Sequence, residues 1–301
     1  MKKKILYIMC ISHSGSTVLG NIIGSHTRAI HLGQIGTACM RKDRRVCHVC
    51  QENECPVWDK TFNDEFLDGI NASYQQYQLD QLSLIGRLKS VFRQYRSAEV
   101  YSKVFDNPML DFDIMVDSTK SIPWSRFNAL NRDYEYFYLF LYRDLRAIWA
   151  SKQRKFGKER HGESYLKTLK AWVHPIIKFS QTIPETHKLS LNYEALIKEP
   201  RIHLSRITDL LGVGFENTMM DYELKVHHIS SGNQTVTEQN KKGLGLKQNL
   251  TNLEVGNRDF YAKKASGLVL DERWKSELSD ADLHTFDVLL KETNAKIGYP
   301  D

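Results

Sequence analysis

The sequence predicts an α/β fold with a central parallel sheet flanked by helices, and a helical insertion after the first strand, loop and helix. Three features predict it. The runs Ile5 to Ile11 and Tyr136 to Tyr142 are nearly unbroken apolar stretches rich in β-branched and aromatic residues, as in strands buried on both faces. Each run stops at a short polar stretch and is followed by apolar residues at three- and four-residue spacing, so each strand feeds a helix. Between them, residues of about 60–108 read as amphipathic helix, with no glycine-rich or charged linker to separate them. Residues 1–301 therefore read as one domain with an insertion.

Composition sets the outer bounds. At 301 residues, 41% hydrophobic and 26% charged, the chain is long enough to bury a sizeable core. A net charge of +6 and a pI near 8.9 suit anionic ligands, but the bias is too weak to indicate a nucleic-acid partner. Met1-Lys2-Lys3-Lys4 before an apolar run imitates a signal peptide, yet the run is short and a polar loop follows it instead of a small-residue cleavage site. No stretch approaches the roughly 20 apolar residues of a membrane span. A soluble, cytoplasmic protein is expected.

The first element sets the chemistry. After the strand come His13, Ser14, Gly15, Ser16 and Thr17, small or hydroxylated apart from the histidine, and then Val18, Leu19, Ile22 and Ile23 at helical spacing from about Gly15. In a strand, tight loop and helix, the loop N–H groups and the first unpaired N–H groups of the helix converge where the helix dipole favours an anion. A phosphate is expected there. A nucleoside-triphosphatase loop would read G-x-x-x-x-G-K-S/T. Here Cys10 replaces the first glycine and Ser16 the lysine, so a kinase or other triphosphatase is disfavoured.

The loop resembles the 5′-phosphosulfate loop of sulfotransferases, commonly K/R-S-G-S/T-T/S-x-L. Ser14 to Leu19 match it, with His13 in place of the usual cation. The resemblance implies a P-loop sulfotransferase-like fold and 3′-phosphoadenosine-5′-phosphosulfate (PAPS) as sulfonate donor, leaving 3′-phosphoadenosine-5′-phosphate as product, with no metal. His13, Ser14, Gly15, Ser16, Thr17 and Val18 would then hold the 5′-phosphate.

Residues 26–59 contain Cys39, Cys47, Cys50 and Cys55. A C-x2-C pair with Cys55 and one of Cys39, His31 or His48 has the donors for zinc, but C-x2-C-x4-C is too compressed for the usual two-knuckle arrangement. Free thiols are expected, because the count of five is odd and the compartment reducing. His31-Leu32-Gly33-Gln34 is similar to the acceptor side of a subset of bacterial-type sulfotransferases. That similarity assigns His31 and Gln34 to the acceptor, with an amide where the subset carries a carboxylate that can act as base. In the insertion, Leu79, Leu82, Leu84, Ile85, Leu88, Val91 and Phe92 read as a core-facing stripe.

A second strand is expected over Phe112 to Val116, with Asp117, Ser118, Thr119 and Lys120 at its carboxyl end, where open parallel sheets collect ligands. This stretch is similar to the D-S-S/T-K element of the same subset, which implies a catalytic Lys120 near the transferring sulfonate and makes Asp117, with His13 and His31, a candidate acceptor base. The third run ends in Arg143 and continues to Ser151, resembling the family's 3′-phosphate motif R-D-P-x-x-x-x-x-S with Leu145 for proline. An arginine at the strand end and a serine two helical turns later can meet on one anion, and arginine's fork suits phosphate oxygens. Arg143 shows no other task in the sequence.

Further on, 163–182 reads as a helix and Lys188 to Leu191 as a fourth strand. Tyr193-Glu194-Ala195-Leu196 is similar to the family's Y-E-x-L element. His228 to Asn233 matches H-x-x-x-G-N, which implies nucleotide contacts from Ser231, Gly232 and Asn233. Gln234 to Asn252, with Lys241, Lys242 and Lys247, is expected as a polar loop, and Ser279 with Asp282 as a capping box. The function expected is sulfonate transfer from PAPS to a hydroxyl or amine of a small-molecule or carbohydrate acceptor; a catalytically silent nucleotide-binding protein and a P-loop kinase are the alternatives. The sequence leaves the oligomeric state open.

Overall fold

The computed structural model describes residues 2–50, 54–108, 110–158, 161–246, 248 and 268–300. Five strands form one parallel sheet among the described residues: β1 Lys4–Met9, β2 Ala29–His31, β3 Ile114–Asp117, β4 Glu135–Tyr142 and β5 Lys188–Asn192, in the order β2-β3-β1-β4-β5. Central β1 pairs with β3 through Lys4 to Tyr7 and with β4 through Lys4 to Met9. Its alternate residues enter different cores, Ile5, Tyr7 and Met9 on one face and Leu6, Ile8 and Cys10 on the other. That division is why the run is apolar throughout rather than alternating.

Helices cover both faces. On the face of Leu6 and Ile8 lie α1 Ser16–Ile23, through Leu19, Ile22 and Ile23, and α11 Pro200–Leu210, through Leu204 and Ile207. The opposite face takes α7 Ile122–Asn128, α8 Leu145–Phe156, α9 Glu163–Thr182 and the insertion helices. The chain leaves β1 toward β3 and leaves β4 toward β5, so strand order reverses between β1 and β4. In open α/β sheets the crevice outside the carboxyl ends at such a reversal is where ligands bind.

The insertion comprises α3 Trp58–Thr61, α4 Asp64–Gln81, α5 Leu84–Phe92 and α6 Glu99–Phe105, and it joins β2 to β3. Its core-facing residues are Leu67, Ile70, Tyr74 and Tyr77 of α4 with Val100, Tyr101 and Val104 of α6. The stripe expected to face the core does not. Leu79, Leu82, Leu84, Ile85, Leu88, Val91 and Phe92 are 60–88% exposed. The cause is a break: α4 ends at Gln81 and Ser83 caps a new helix, its hydroxyl accepting from Gly86 N–H, so the helical phase restarts inside the supposed stripe.

Two further expectations change. Strand β2 was not foreseen, since three residues are too few to show a period. Residues 234–243, expected as loop, form α12 (Gln234–Gly243), capped by the Asn233 side chain accepting from Thr235 N–H, and Lys241 is buried against Glu238 at 2.9 Å. Lys247 and residues 249–252 of that expected loop lie outside the described residues. The Ser279–Asp282 capping box is present and opens the helix Asp280–Lys296.

Candidate active site

At the carboxyl end of β1 the chain turns through residues 10–15 into α1. Gly15, at φ 90°, lies in the left-handed region, and a Cβ there would collide with the ring of Tyr193, the first residue of α10 Tyr193–Lys198. No acidic residue lies in the first turn of α1, so its unpaired N–H groups stay available to an anion. The Ser14 hydroxyl is buried without a hydrogen-bond partner and lines a cavity of about 10 Å³ with Cys10, Leu141 and Ile148. The hydroxyl of Thr17 accepts from Asn233 N–H at 3.0 Å and keeps its own proton to donate. Asn233 belongs to the segment 228–233, which packs along the loop: Gly232 lies against the Thr17 methyl, and a Cβ on Gly33 would press on the Ser231 carbonyl.

The end of β4 meets this loop. Arg143 donates to the His13 carbonyl at 2.8 Å, and Ser151 Oγ lies 2.8 Å from His13 Nδ1. The Arg143 guanidinium sits 4.8 Å from the centre of the Tyr193 ring and 3.9 Å from carboxylate oxygens of both Glu194 and Asp271. Leu145 has a reason to replace proline, because its N–H donates to Asn294 Oδ1 at 2.9 Å. His13 is pushed down to about 3, first by burial and then by Lys152, Lys155, Arg143 and Lys120. Four cations thus act on one neutral imidazole. Burial, with Lys155 and Lys120 beside it, also lowers Lys152.

Lys120 follows β3. It and His13 are two of the three non-glycine residues with positive φ among the described residues, at 65° and 71°. Such backbone is strained and persists where surrounding structure imposes it. Here the turn is imposed by Asp117, whose carboxylate accepts from Thr119 N–H and Oγ at 2.7 and 2.5 Å, from Tyr101 at 2.6 Å and from Trp124 Nε1 at 2.9 Å.

The structure resembles that of the sulfotransferase domain from the Synechococcus PCC 7002 olefin synthase, with a TM-score of 0.50 over 98% of this chain and 95% of that one at 19% identity. The sulfotransferase fold is present. The sulfotransferase domain from the curacin biosynthetic pathway matches at a TM-score of 0.45 and 14% identity, over 92% of this chain and 96% of that one. A sulfotransferase from Mycobacterium tuberculosis H37Rv gives 0.43 and 12%, over 82% and 78%. No protein-family model and no curated protein matches the sequence.

Within this sulfotransferase fold, Asp117, His31 and Gln34 each have partners in the protein itself. Asp117 is 1% exposed, with its oxygens already taken by four donors, and burial raises its pKa. It holds the turn that leads to Lys120. His31 is buried between α1 and β3, Nδ1 on Asn21 Oδ1 at 2.9 Å and Nε2 on Ser118 Oγ at 3.0 Å. Its imidazole fills the space over Gly20, so the histidine packs the sheet against α1. Gln34 caps α2 Ile35–Met40, half-buried, and accepts from the Thr37 hydroxyl at 3.3 Å. Arg143 has tasks that the sequence did not show, holding the loop carbonyl and two carboxylates. Lys152 and Lys155 were missed because basic residues late in a helix read as solvated surface. The available signal was their position beside and four residues beyond Ser151, on the same turns of α8.

Tyr193 lies against Gly15, Gly232 and Asn233 lie against Thr17, Ser231 lies against Gly33, and Val18 packs partly buried against the core on the α1 face of the sheet. A separate concavity of about 430 Å³, lined by Lys60, Thr61, Phe66 and Glu99 among others, lies in the insertion and includes no residue of the loop. Three cysteines and His228 also draw together. Among the described residues, no helix is long and apolar enough to cross a membrane.

Proposed function

We propose that this chain transfers a sulfonate group from PAPS to a hydroxyl or amine of a small-molecule or carbohydrate acceptor. The observation that carries the reading is the set of four cations, Lys120, Arg143, Lys152 and Lys155, acting on the neutral imidazole of the loop after β1. Like charges gathered at a sheet's carboxyl end repel one another, and a polyanion relieves that repulsion. The residues fit such a group: a glycine kept free of Cβ beneath Tyr193, unopposed N–H groups at the start of α1, and Arg143 Nε buried without a hydrogen-bond partner.

In this reading PAPS supplies the transferable sulfonate when bound. The N–H groups of His13 to Val18 and the Ser16 and Thr17 hydroxyls hold the 5′-phosphate. Ser151, Lys152 and Lys155 take the 3′-phosphate, with Arg143 fixing the loop against Asp271. Tyr193, Ser231, Gly232 and Asn233 enclose the nucleoside, and Lys120 neutralises charge at the reacting end. Work of this kind is positioning and electrostatic stabilisation. With Asp117 and His31 committed to packing, His13 is left as the group to take an acceptor proton, and an amine acceptor needs this less than an alcohol does.

The test is nucleotide binding followed by turnover. 3′-Phosphoadenosine-5′-phosphate should stabilise the protein more than ADP does, and Lys120→Ala should lower turnover by roughly 10²–10³-fold with little change in nucleotide affinity. Equal binding of ADP would overturn the 3′-phosphate assignment. Binding without turnover on hydroxyl and amine acceptors would leave a nucleotide-binding protein, and magnesium-dependent phosphate transfer from ATP would make it a kinase.

A further inference from the structure

Cys47, Cys50, Cys55 and His228 come from opposite ends of the sequence, yet their ligand atoms all lie within 4.8 Å of one another. His228 Nδ1 is 3.8 Å from Cys47 Sγ, 3.4 Å from Cys50 Sγ and 3.3 Å from Cys55 Sγ. One ring nitrogen can share one hydrogen, so it cannot satisfy three thiols by hydrogen bonding. A tetrahedral zinc ion with the usual metal–sulfur and metal–nitrogen lengths places sulfur and nitrogen ligands about 3.6 Å apart, a value that the three distances bracket. Backbone amides point at two of the sulfurs, Cys50 N–H at Cys47 and Trp58 N–H at Cys55, with heavy-atom distances of 3.5 and 3.3 Å. Such donors favour thiolate over thiol. Cys47 and Cys55 are buried and the other two ligands partly so, which closes the cluster against bulk water.

We propose that these four residues form a structural zinc site that clamps the 228–233 segment onto the chain preceding the insertion. Four protein ligands leave no open position, so the ion's role is to hold structure. The surrounding bonds show what is held. His48 N–H donates to the Ile229 carbonyl at 2.8 Å, and Trp58 Nε1 donates to the His228 carbonyl at 2.6 Å. Beyond the clamp, Ser230 N–H reaches the Leu32 carbonyl at 3.4 Å and Asn233 N–H reaches Thr17, the second residue of α1. The site therefore fixes where Ser231 to Asn233 lie beside the loop. The sequence pointed to His31, His48 or Cys39 as a fourth ligand because they are near in the chain. The fold supplies His228 instead, and the expectation of five free thiols gives way to two, Cys10 and Cys39. The proposal stands whether or not the chain transfers sulfonate.

Metal analysis of the full chain, purified without a histidine tag or added metal, tests it. About one zinc per chain is expected, with X-ray absorption showing three sulfur neighbours near 2.3 Å and one nitrogen near 2.0 Å. Cys50→Ser and His228→Ala should each lose most of the metal, while His48→Ala and Cys39→Ser retain it. Zinc removal should abolish hydrogen-exchange protection at the amides of Ser230 and Asn233. Less than about a tenth of an equivalent of zinc in the unmodified chain, with no tetrahedral spectrum on adding cobalt(II), overturns the proposal. So does a bound metal whose shell is mainly oxygen, or one retained in full by His228→Ala. The absorption measurement uses the native chain, so a variant that fails to fold leaves the outcome decided.

Discussion

At the scale of single residues, His13 concentrates the physics of the site. It replaces a permanent cation with an imidazole that burial and four neighbouring cations hold neutral, its pKa depressed to about 3. The free protein therefore carries less positive charge at the loop than a permanent cation at this position would give it. An anion bound among Lys120, Arg143, Lys152 and Lys155 cancels the repulsion that keeps the proton off, so binding raises the His13 pKa and takes up protons from solution. Near pH 6, just below the ordinary histidine value of about 6.5, titration with 3′-phosphoadenosine-5′-phosphate should take up as much as about one proton per chain. Calorimetry in buffers of different ionisation enthalpy reads that number directly. His13→Gln should remove the uptake while leaving binding measurable; zero uptake in the unmodified protein, or the same uptake in the variant, would show that His13 does not face the anion. That His13 and Arg143 follow strand ends and that Ser151 lies two turns into the next helix was legible from the apolar runs and the spacing. Their mutual bonding was not, because a one-dimensional pattern does not reveal which of two strand ends touches the other's carbonyl.

At the scale of elements, the insertion shows where periodicity misleads. A run of leucines and isoleucines over 79–92 reads as one face only if one helix carries it, and the Ser83 cap divides it between two. The buried face of α4 is built from Leu67, Ile70, Tyr74 and Tyr77, with Tyr74 edge-on to Trp124 at 5.3 Å. Stability should follow this division. Ile70, fully buried, should cost about 2–5 kcal/mol when truncated to alanine, the range for a large apolar residue in a core. Leu88, 68% exposed, should tolerate Leu88→Glu within about 0.5 kcal/mol. Urea denaturation of the two variants compares them on one scale. Equal destabilisation would mean that α5 is packed against something in the folded protein and that its apolar side is not free. The longer elements were readable, β1 and β4 as unbroken apolar runs and α9 and the last helix by helical spacing and end signals; β2 and α12 were not, being respectively too short and too polar to show a pattern.

At the scale of the whole molecule, the sequence revealed a parallel sheet but not its order, since strand order depends on crossovers that leave no local trace. The order matters, because the reversal between β1 and β4 is what brings the loop's histidine to the serine of α8. The same packing leaves three buried histidines strongly depressed: His13 and His31 to about 3 and His227 to about 4, each first by burial. His31 bridges α1 and β3, and His227 lies 2.8 Å from the Tyr222 carbonyl, so both have hydrogen-bonding tasks that suit the neutral ring. The sign of the pH effect follows. Below about pH 6.5 the unfolded chain gains protons that the folded chain refuses, so stability is lost as pH falls, at up to about 1.4 kcal/mol per pH unit for each histidine. Three such groups can remove several kcal/mol between about pH 6.5 and 5, a large share of a typical folding free energy of about 5–15 kcal/mol. Asp117 and Glu194, whose pKa values burial raises, act in the opposite sense, so the comparison that decides is one of slopes. Melting temperature should be nearly level above pH 7 and fall steeply below about pH 6.5, and His31→Gln, less stable at neutral pH, should show a shallower fall by roughly one third. A slope unchanged by that substitution would mean that His31 titrates normally in the folded state, and that the sheet does not depend on a neutral ring between α1 and β3.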